Sequence, residues 1–147
     1  MARLAGGVNE GLERFVDAPR PIYEAVLAEL AAGRKQTHWM WFVFPQLRLL
    51  GKSTTALFYG LKNLDEARLY WRHSVLGPRL RQGVDLVLRA RGRTAHEFFC
   101  SPDDLKLRSC MTLFELAVPN EPCFGQVLVQ CCGGSRDALT PALAAEG

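Results

Sequence analysis

Apolar residues along this chain recur mostly at intervals of three and four, the spacing that gathers side chains on one face of an α-helix. Ile22, Val26 and Leu30 repeat at four with Ala25 beside them, Pro21 suits a first helical position and Gly33 supplies a stop, so this window reads as a helix. Upstream, Leu12, Phe15 and Val16 suggest a turn or two ending before Pro19. Asn63, followed three positions later by Glu66, offers a cap ahead of Leu64, Ala67, Tyr70 and Trp71, which predicts a helix to about His73. Ser74 begins another turn, and a longer helix carries Leu80, Val84, Val87 and Leu88 towards Gly92. Thr94-Ala95-His96-Glu97 has the pattern of a capping box ahead of Phe98 and Phe99.

Ser101-Pro102-Asp103-Asp104 is the strongest helix start, combining a capping hydroxyl, a proline and two carboxylates suited to the positive end of the helix dipole. Its helix should reach Val118, with Leu105, Thr112, Leu113 and Leu116 on one stripe and Met111, Phe114 and Val118 alongside, until Pro119 ends it. Asn120 or Glu121 with Pro122 opens the next, whose Val127, Leu128 and Cys131 are apolar and which Gly133-Gly134 closes; Thr140-Pro141 begins a short alanine-rich tail. No alternating strand pattern or hairpin turn is evident, so the expectation is all-α: a single compact domain of about six or seven short helices. Residues 1–10 and 135–147 are expected to be peripheral or flexible.

One segment escapes this pattern. In His38-Trp39-Met40-Trp41-Phe42-Val43-Phe44-Pro45-Gln46 the apolar run is too short to classify by period, with helix or irregular structure favoured, and it is either core or pocket wall. Large rings of this kind hold a small domain together when buried, whereas an exposed indole offers a stacking wall to a planar ligand.

Composition narrows the class. The 147 residues suit one domain, and 48% hydrophobic with 22% charged belongs to an ordinary globular protein rather than a disordered chain. A net charge of +3 gives only a weak pull towards nucleic acid or anionic lipid. The N-terminus Met1 to Gly7 lacks the apolar stretch of a secretory signal and no run is long enough to span a membrane, so a cytoplasmic protein is expected. Five cysteines, Cys100, Cys110, Cys123, Cys131 and Cys132, then read as reduced, mostly buried thiols.

The residues Arg14-Phe15-Val16, Gly33-Arg34-Lys35, His38-Trp39-Met40-Trp41-Phe42, Phe44-Pro45-Gln46, Leu76-Gly77-Pro78-Arg79-Leu80 and Pro102 to Ser109 make the chain resemble the bacterial family catalogued as domain of unknown function 1810. The resemblance runs over nearly the whole chain, as far as Gly134, and implies an all-helical fold with no assigned reaction. A calpastatin label sometimes attached to the family fits poorly, because a compact apolar domain is unlike a disordered protease inhibitor. The family pattern has serine where Cys110 stands and aromatics near Cys131 and Cys132, which implies that the cysteines are poor candidates for a shared mechanism.

The candidate chemistry gathers at two places. His38 is the group in the aromatic segment suited to proton transfer, Trp39 or Trp41 to stacking and Gln46 to a polar contact. Arg34 and Lys35 before it, and Lys106, Arg108 and Ser109 on the helix begun by Asp103 and Asp104, are placed to hold a phosphate or carboxylate. The bland alternative is that Lys106 and Arg108 are solvated or pair with that acidic first turn. Asp104 is the second catalytic candidate, although capping and dipole compensation explain the Asp103-Asp104 pair more simply. No cofactor and no metal are expected, since the histidines His38, His73 and His96 are scattered and no Cys-x-x-Cys occurs.

These residues read as a protein that binds a small anionic or aromatic metabolite, planar or phosphorylated, with hydrolysis or group transfer as the mildest enzymatic form. That reading requires His38, Trp39, Lys106 and Arg108 to converge on one concave surface. The alternatives are a non-catalytic interaction module, whose Arg79, Arg81, Arg89, Arg91 and Arg93 face meets an acidic protein partner, and a nucleic-acid-associated protein. On a helix Arg81 and Asp85 are spaced to pair. Nucleic acid is the less favoured partner, and no membrane association is expected.

Overall fold

A computed structural model describes residues 11–146. In chain order the helices are α1 (Glu13–Asp17), α2 (Tyr23–Ala31), α3 (Met40–Val43), α4 (Thr54–Phe58), α5 (Leu64–Arg72), α6 (Leu76–Arg89), α7 (Ala95–Phe99), α8 (Asp103–Ala117), α9 (Cys123–Cys132) and α10 (Leu139–Glu146). Short 3-10 turns lie at Arg20–Ile22 and Arg48–Leu50. Among the described residues there is no strand, only an isolated parallel bridge between Leu47 and Leu61. No described helix is long and apolar enough to cross a membrane.

The all-α class holds, with more helices than the six or seven expected: among the described residues nine have at least five residues, and α3 is a single turn. The excess comes from pieces too short to show a period. Ser53 caps α4 through its hydroxyl, which accepts from Ala56 N at 3.1 Å, in a stretch where the apolar pattern marks no element. The alanine-rich tail is α10, capped by Asp137 and packed on α8 with Thr140 and Ala144 buried, so it is part of the domain rather than peripheral. The expectation for residues 1–10 lies outside the described residues.

The cap signals translate directly. Asn63 accepts from Glu66 N at 2.9 Å to start α5, and Thr94 and Glu97 form the reciprocal box of α7. On α6, Leu76, Leu80, Val84 and Val87 form the buried stripe. Helix α8 is the hub, packed on by α5, α7, α9 and α10. Its middle is buried almost all round, as a helix surrounded by others must be. The stripe expected on α8 needs correction, because Leu105 is 51% and Leu116 38% exposed; the buried set is Leu107, Cys110, Met111, Leu113, Phe114 and Ala117.

Two aromatic chains run through the core. One links Phe15, Tyr70, Phe114 and Phe124 with ring centres 5.3 to 5.6 Å apart. The other joins Trp39, Phe44 and Phe99, with Phe98 stacked on Phe99 at 4.5 Å. This second cluster, together with the Lys35 N to Phe98 O hydrogen bond of 2.9 Å, ties the segment after α2 to the end of α7. It thereby fixes the neighbourhood of Lys35, His38 and the α7–α8 connection.

Candidate functional site

Gly33, at φ +74, ends α2 and turns the chain into the stretch 34–39. Glu29 on α2 organises that stretch. Its carboxylate accepts from Gln36 N (2.8 Å), Thr37 N (3.1 Å), Thr37 Oγ1 (2.6 Å) and Trp39 Nε1 (2.8 Å). Partial burial pushes the carboxyl up, but these donors outweigh it and hold it at about 2. Trp39 is thereby anchored with no exposed surface, and the chain turns into α3 with Met40 and Val43 buried and Trp41 partly buried.

Between this stretch, α3 and the start of α8 lies a cleft of about 430 Å3. Met40, Trp41, Phe99 and Pro102 supply its apolar wall, and Lys35, His38, Asp103 and Lys106 its polar groups. Lys35 Nζ lies 2.8 Å from Asp103 Oδ2 and Lys106 Nζ 3.6 Å from Oδ1, so two ammonium groups share one carboxylate. The Lys35 side chain is 5% exposed; it also donates to Thr37 O and lies 4.9 Å from the Trp39 ring centre. Lys106 is 21% exposed and sits 4.7 Å from the Trp41 ring centre. Lys35 is therefore built into the wall, and Lys106 is the cation that faces outward.

Cys100, exposed on the rim, adopts φ +61 and ψ 171, a region populated almost only by glycine. The other cysteines are poor nucleophiles. Burial pushes the thiols of Cys110 and Cys132 up, Cys131 up to about 11 and Cys123 up to about 12.

Convergence of His38, Trp39, Lys106 and Arg108 is met only by His38 and Lys106, so the four-residue site expected from the sequence is not formed and only a narrower one remains, with Trp41 in place of Trp39 and without Arg108. Trp39 stands behind the wall as core. Arg108, one turn beyond Asp104 on α8, opens onto a separate cleft of about 310 Å3 that shares no lining residue with the first. Ser109 faces inward and is 6% exposed, Arg34 is exposed outside the first cleft, and the backbone carbonyl of Gln46 accepts from Leu61 N beside the Leu47 bridge. The separations follow from helix geometry, since Lys106, Arg108 and Ser109 leave α8 about 100° apart per residue.

Asp104 pairs with His96, not with His38: His96 Nδ1 lies 3.2 Å from Asp104 Oδ2. Ser101 does not cap α8. Its hydroxyl donates to Asp104 Oδ1 and Oδ2 at 3.2 and 3.3 Å and lies 3.4 Å from His96 Nδ1. A serine, a histidine and an aspartate thus meet, but a nucleophilic relay needs hydroxyl and carboxylate on opposite ring nitrogens, and here both address Nδ1. Sequence reasoning missed His96 in this role. The signal was present, since only three residues separate α7 from α8 and so bring position 96 to the first turn of the next helix.

His73 is structural, its Nδ1 accepting from Val75 N and Leu76 N at the start of α6. The basic face of α6 is partly consumed by the fold. Arg79 donates to Val16 O and stacks on Tyr23, Arg81 pairs with Glu121 instead of Asp85, and Arg93 packs over Gly33. No group of three or more metal-ligating side chains is placed to hold an ion among the described residues.

The family model described as "Protein of unknown function (DUF1810)" matches residues 9–144. Among solved structures, the chain is similar to the conserved hypothetical protein Rv1873 from Mycobacterium tuberculosis at 51% identity and a TM-score of 0.89, over 91% of this chain and 96% of that one. The comparison with curated proteins gives no match.

Proposed function

Given that the chain belongs to the DUF1810 family, whose description names no activity, we propose from the site itself that it binds a small anionic metabolite carrying a planar group, in the cleft of Trp41 and Lys106. The observation that carries this reading is the charge count: two ammonium groups and one carboxylate leave a surplus positive charge beside an accessible indole. The longer of the two ion pairs is the one to Lys106, so an incoming phosphate or carboxylate competes with Asp103 there while Lys35 stays in the wall. Trp41, Phe99 and Pro102 offer apolar surface to the planar part. His38 is the imidazole of this cleft and takes the proton-transfer role in any hydrolytic or group-transfer step. Cys100 supports the reading, because a strained non-glycine residue on a cleft rim is a common mark of a functional wall.

A thermal-shift screen with nucleotides, sugar phosphates and amino-acid derivatives tests it. A stabilising compound is expected, with the effect lost in Lys106→Met and Trp41→Ala, weakened in His38→Ala and strengthened in Asp103→Asn, which removes the competing carboxylate. No stabilisation at millimolar concentrations, or a shift untouched by Lys106→Met, would favour the interaction module instead.

A further inference from the structure

The second cleft, between α7, α8 and the C-terminal turn of α9, has its own unresolved charge. Arg108 lines it, and among the described residues its guanidinium has no ion-pair or hydrogen-bond partner. Its Nε is sealed from solvent without an acceptor, so compensation falls to the terminal nitrogens. Neighbouring groups do not supply it. Asp104 is occupied by His96, Ser101 and Leu105 N. Cys132 stays a neutral thiol, pushed up by burial more than Arg108 draws it down. The carbonyl end of α9 offsets part of the positive charge through its dipole, but no carbonyl accepts from the guanidinium.

His96 and Asp104 line the same cleft as Arg108; His96 Nδ1 lies 3.2 Å from Asp104 Oδ2, and its Nε2 has no protein partner among the described residues. An arginine fork without a paired carboxylate, in one cleft with a ring whose Nε2–H is free to donate when both ring nitrogens carry protons, is a donor set for a tetrahedral oxyanion. We propose that this cleft is a second ligand site, taking a phosphate-type oxyanion with Arg108 as its charge partner and, in the imidazolium form of His96, the Nε2–H as its hydrogen-bond donor. The site is independent of the first cleft.

Sulfate is the probe, because it is tetrahedral and keeps its charge across neutral pH. The readout is the ring Cε1–H resonance of His96, assigned with His96→Gln, during titration of the full chain at constant ionic strength set by chloride. A saturating shift is expected, with affinity reduced roughly tenfold or more in Arg108→Met, less in Arg108→Lys, and unchanged in Lys106→Met. Arg108→Lys keeps a cation at the site and serves as the test should Arg108→Met not fold. A shift that never saturates, or one of equal affinity in wild type and both Arg108 variants, overturns the proposal. So does a saturating shift that is lost in Lys106→Met and kept in Arg108→Met, which assigns sulfate to the first cleft.

Discussion

Trp39 and Trp41 are the same side chain two positions apart, and the fold uses them in opposite ways. Trp39 has no exposed surface, donates its indole N–H to Glu29 and packs on Phe44 and Phe99. Trp41 is partly buried and lines the cleft, with Lys106 over its ring. The difference lies in what surrounds each indole: a carboxylate, two rings and the buried Lys35 in one case, the outward-facing Lys106 and the cleft in the other. One ring anchors the wall; the other is the wall.

The largest expected effect follows from this. Trp39→Ala empties a fully buried site and should cost about 3–5 kcal/mol in urea unfolding. Trp41→Ala, at a partly buried ring outside the core cluster, should cost clearly less, about 1–2 kcal/mol, while abolishing ligand stabilisation. Equal losses in both variants would break the distinction.

Trp39→Phe keeps most of the ring but leaves Glu29 one donor short and should cost about 1–3 kcal/mol. That figure would show whether the Glu29 bond or the ring packing dominates at Trp39.

At the cleft rim, Cys100→Gly should raise stability by about 1 kcal/mol, because glycine adopts φ +61 without the strain that cysteine bears. Loss of stability instead would mean that the thiol makes a compensating contact, and the rim would then belong with the anchored half of the segment.

The smallest effect is a pH dependence. Glu29 has its ordinary value of 4.5 in the unfolded chain and about 2 when folded, so between these values the unfolded chain binds the extra proton. Its stabilisation is present above 4.5 and is lost as pH falls towards 2. Solvent screening keeps it modest, since Glu29 is only partly buried. The Tm gap between wild type and Glu29→Gln should therefore narrow as pH drops through this window. Other carboxylates held down by partners, such as Glu115 beside Arg136, cancel in the difference. A gap constant from pH 7 to pH 2 would mean that Glu29 orders residues 36–39 by shape and not by charge.

Much of the fold was legible because caps and apolar stripes are local. Asn63, the Thr94–Glu97 box and Gly133 mark their helix ends as residue chemistry requires. The α4 turn and the α10 tail were not legible, since five residues or a run of alanines carry no face to read. Of the site, Lys35, His38, Trp41 and Lys106 were identifiable by type and meet in one cleft, whereas Arg108 and Asp104, singled out with them, line the second cleft with His96. Glu29 gave no signal, because nothing in a glutamate on an amphipathic helix announces four donors seven to ten residues downstream.

By itself the sequence determined the helical class, most helix boundaries, the family and the charged and aromatic residue types from which a site is made. Those properties depend on residues within one or two turns of each other. Only the tertiary structure decided that Trp39 is core and Trp41 is cleft wall, that Lys35 and Lys106 share Asp103, and that His96 rather than His38 meets Asp104. Each of these is set by how α2, α3, α7 and α8 approach one another. Burial and charge pairing belong to such contacts and not to any window of the chain.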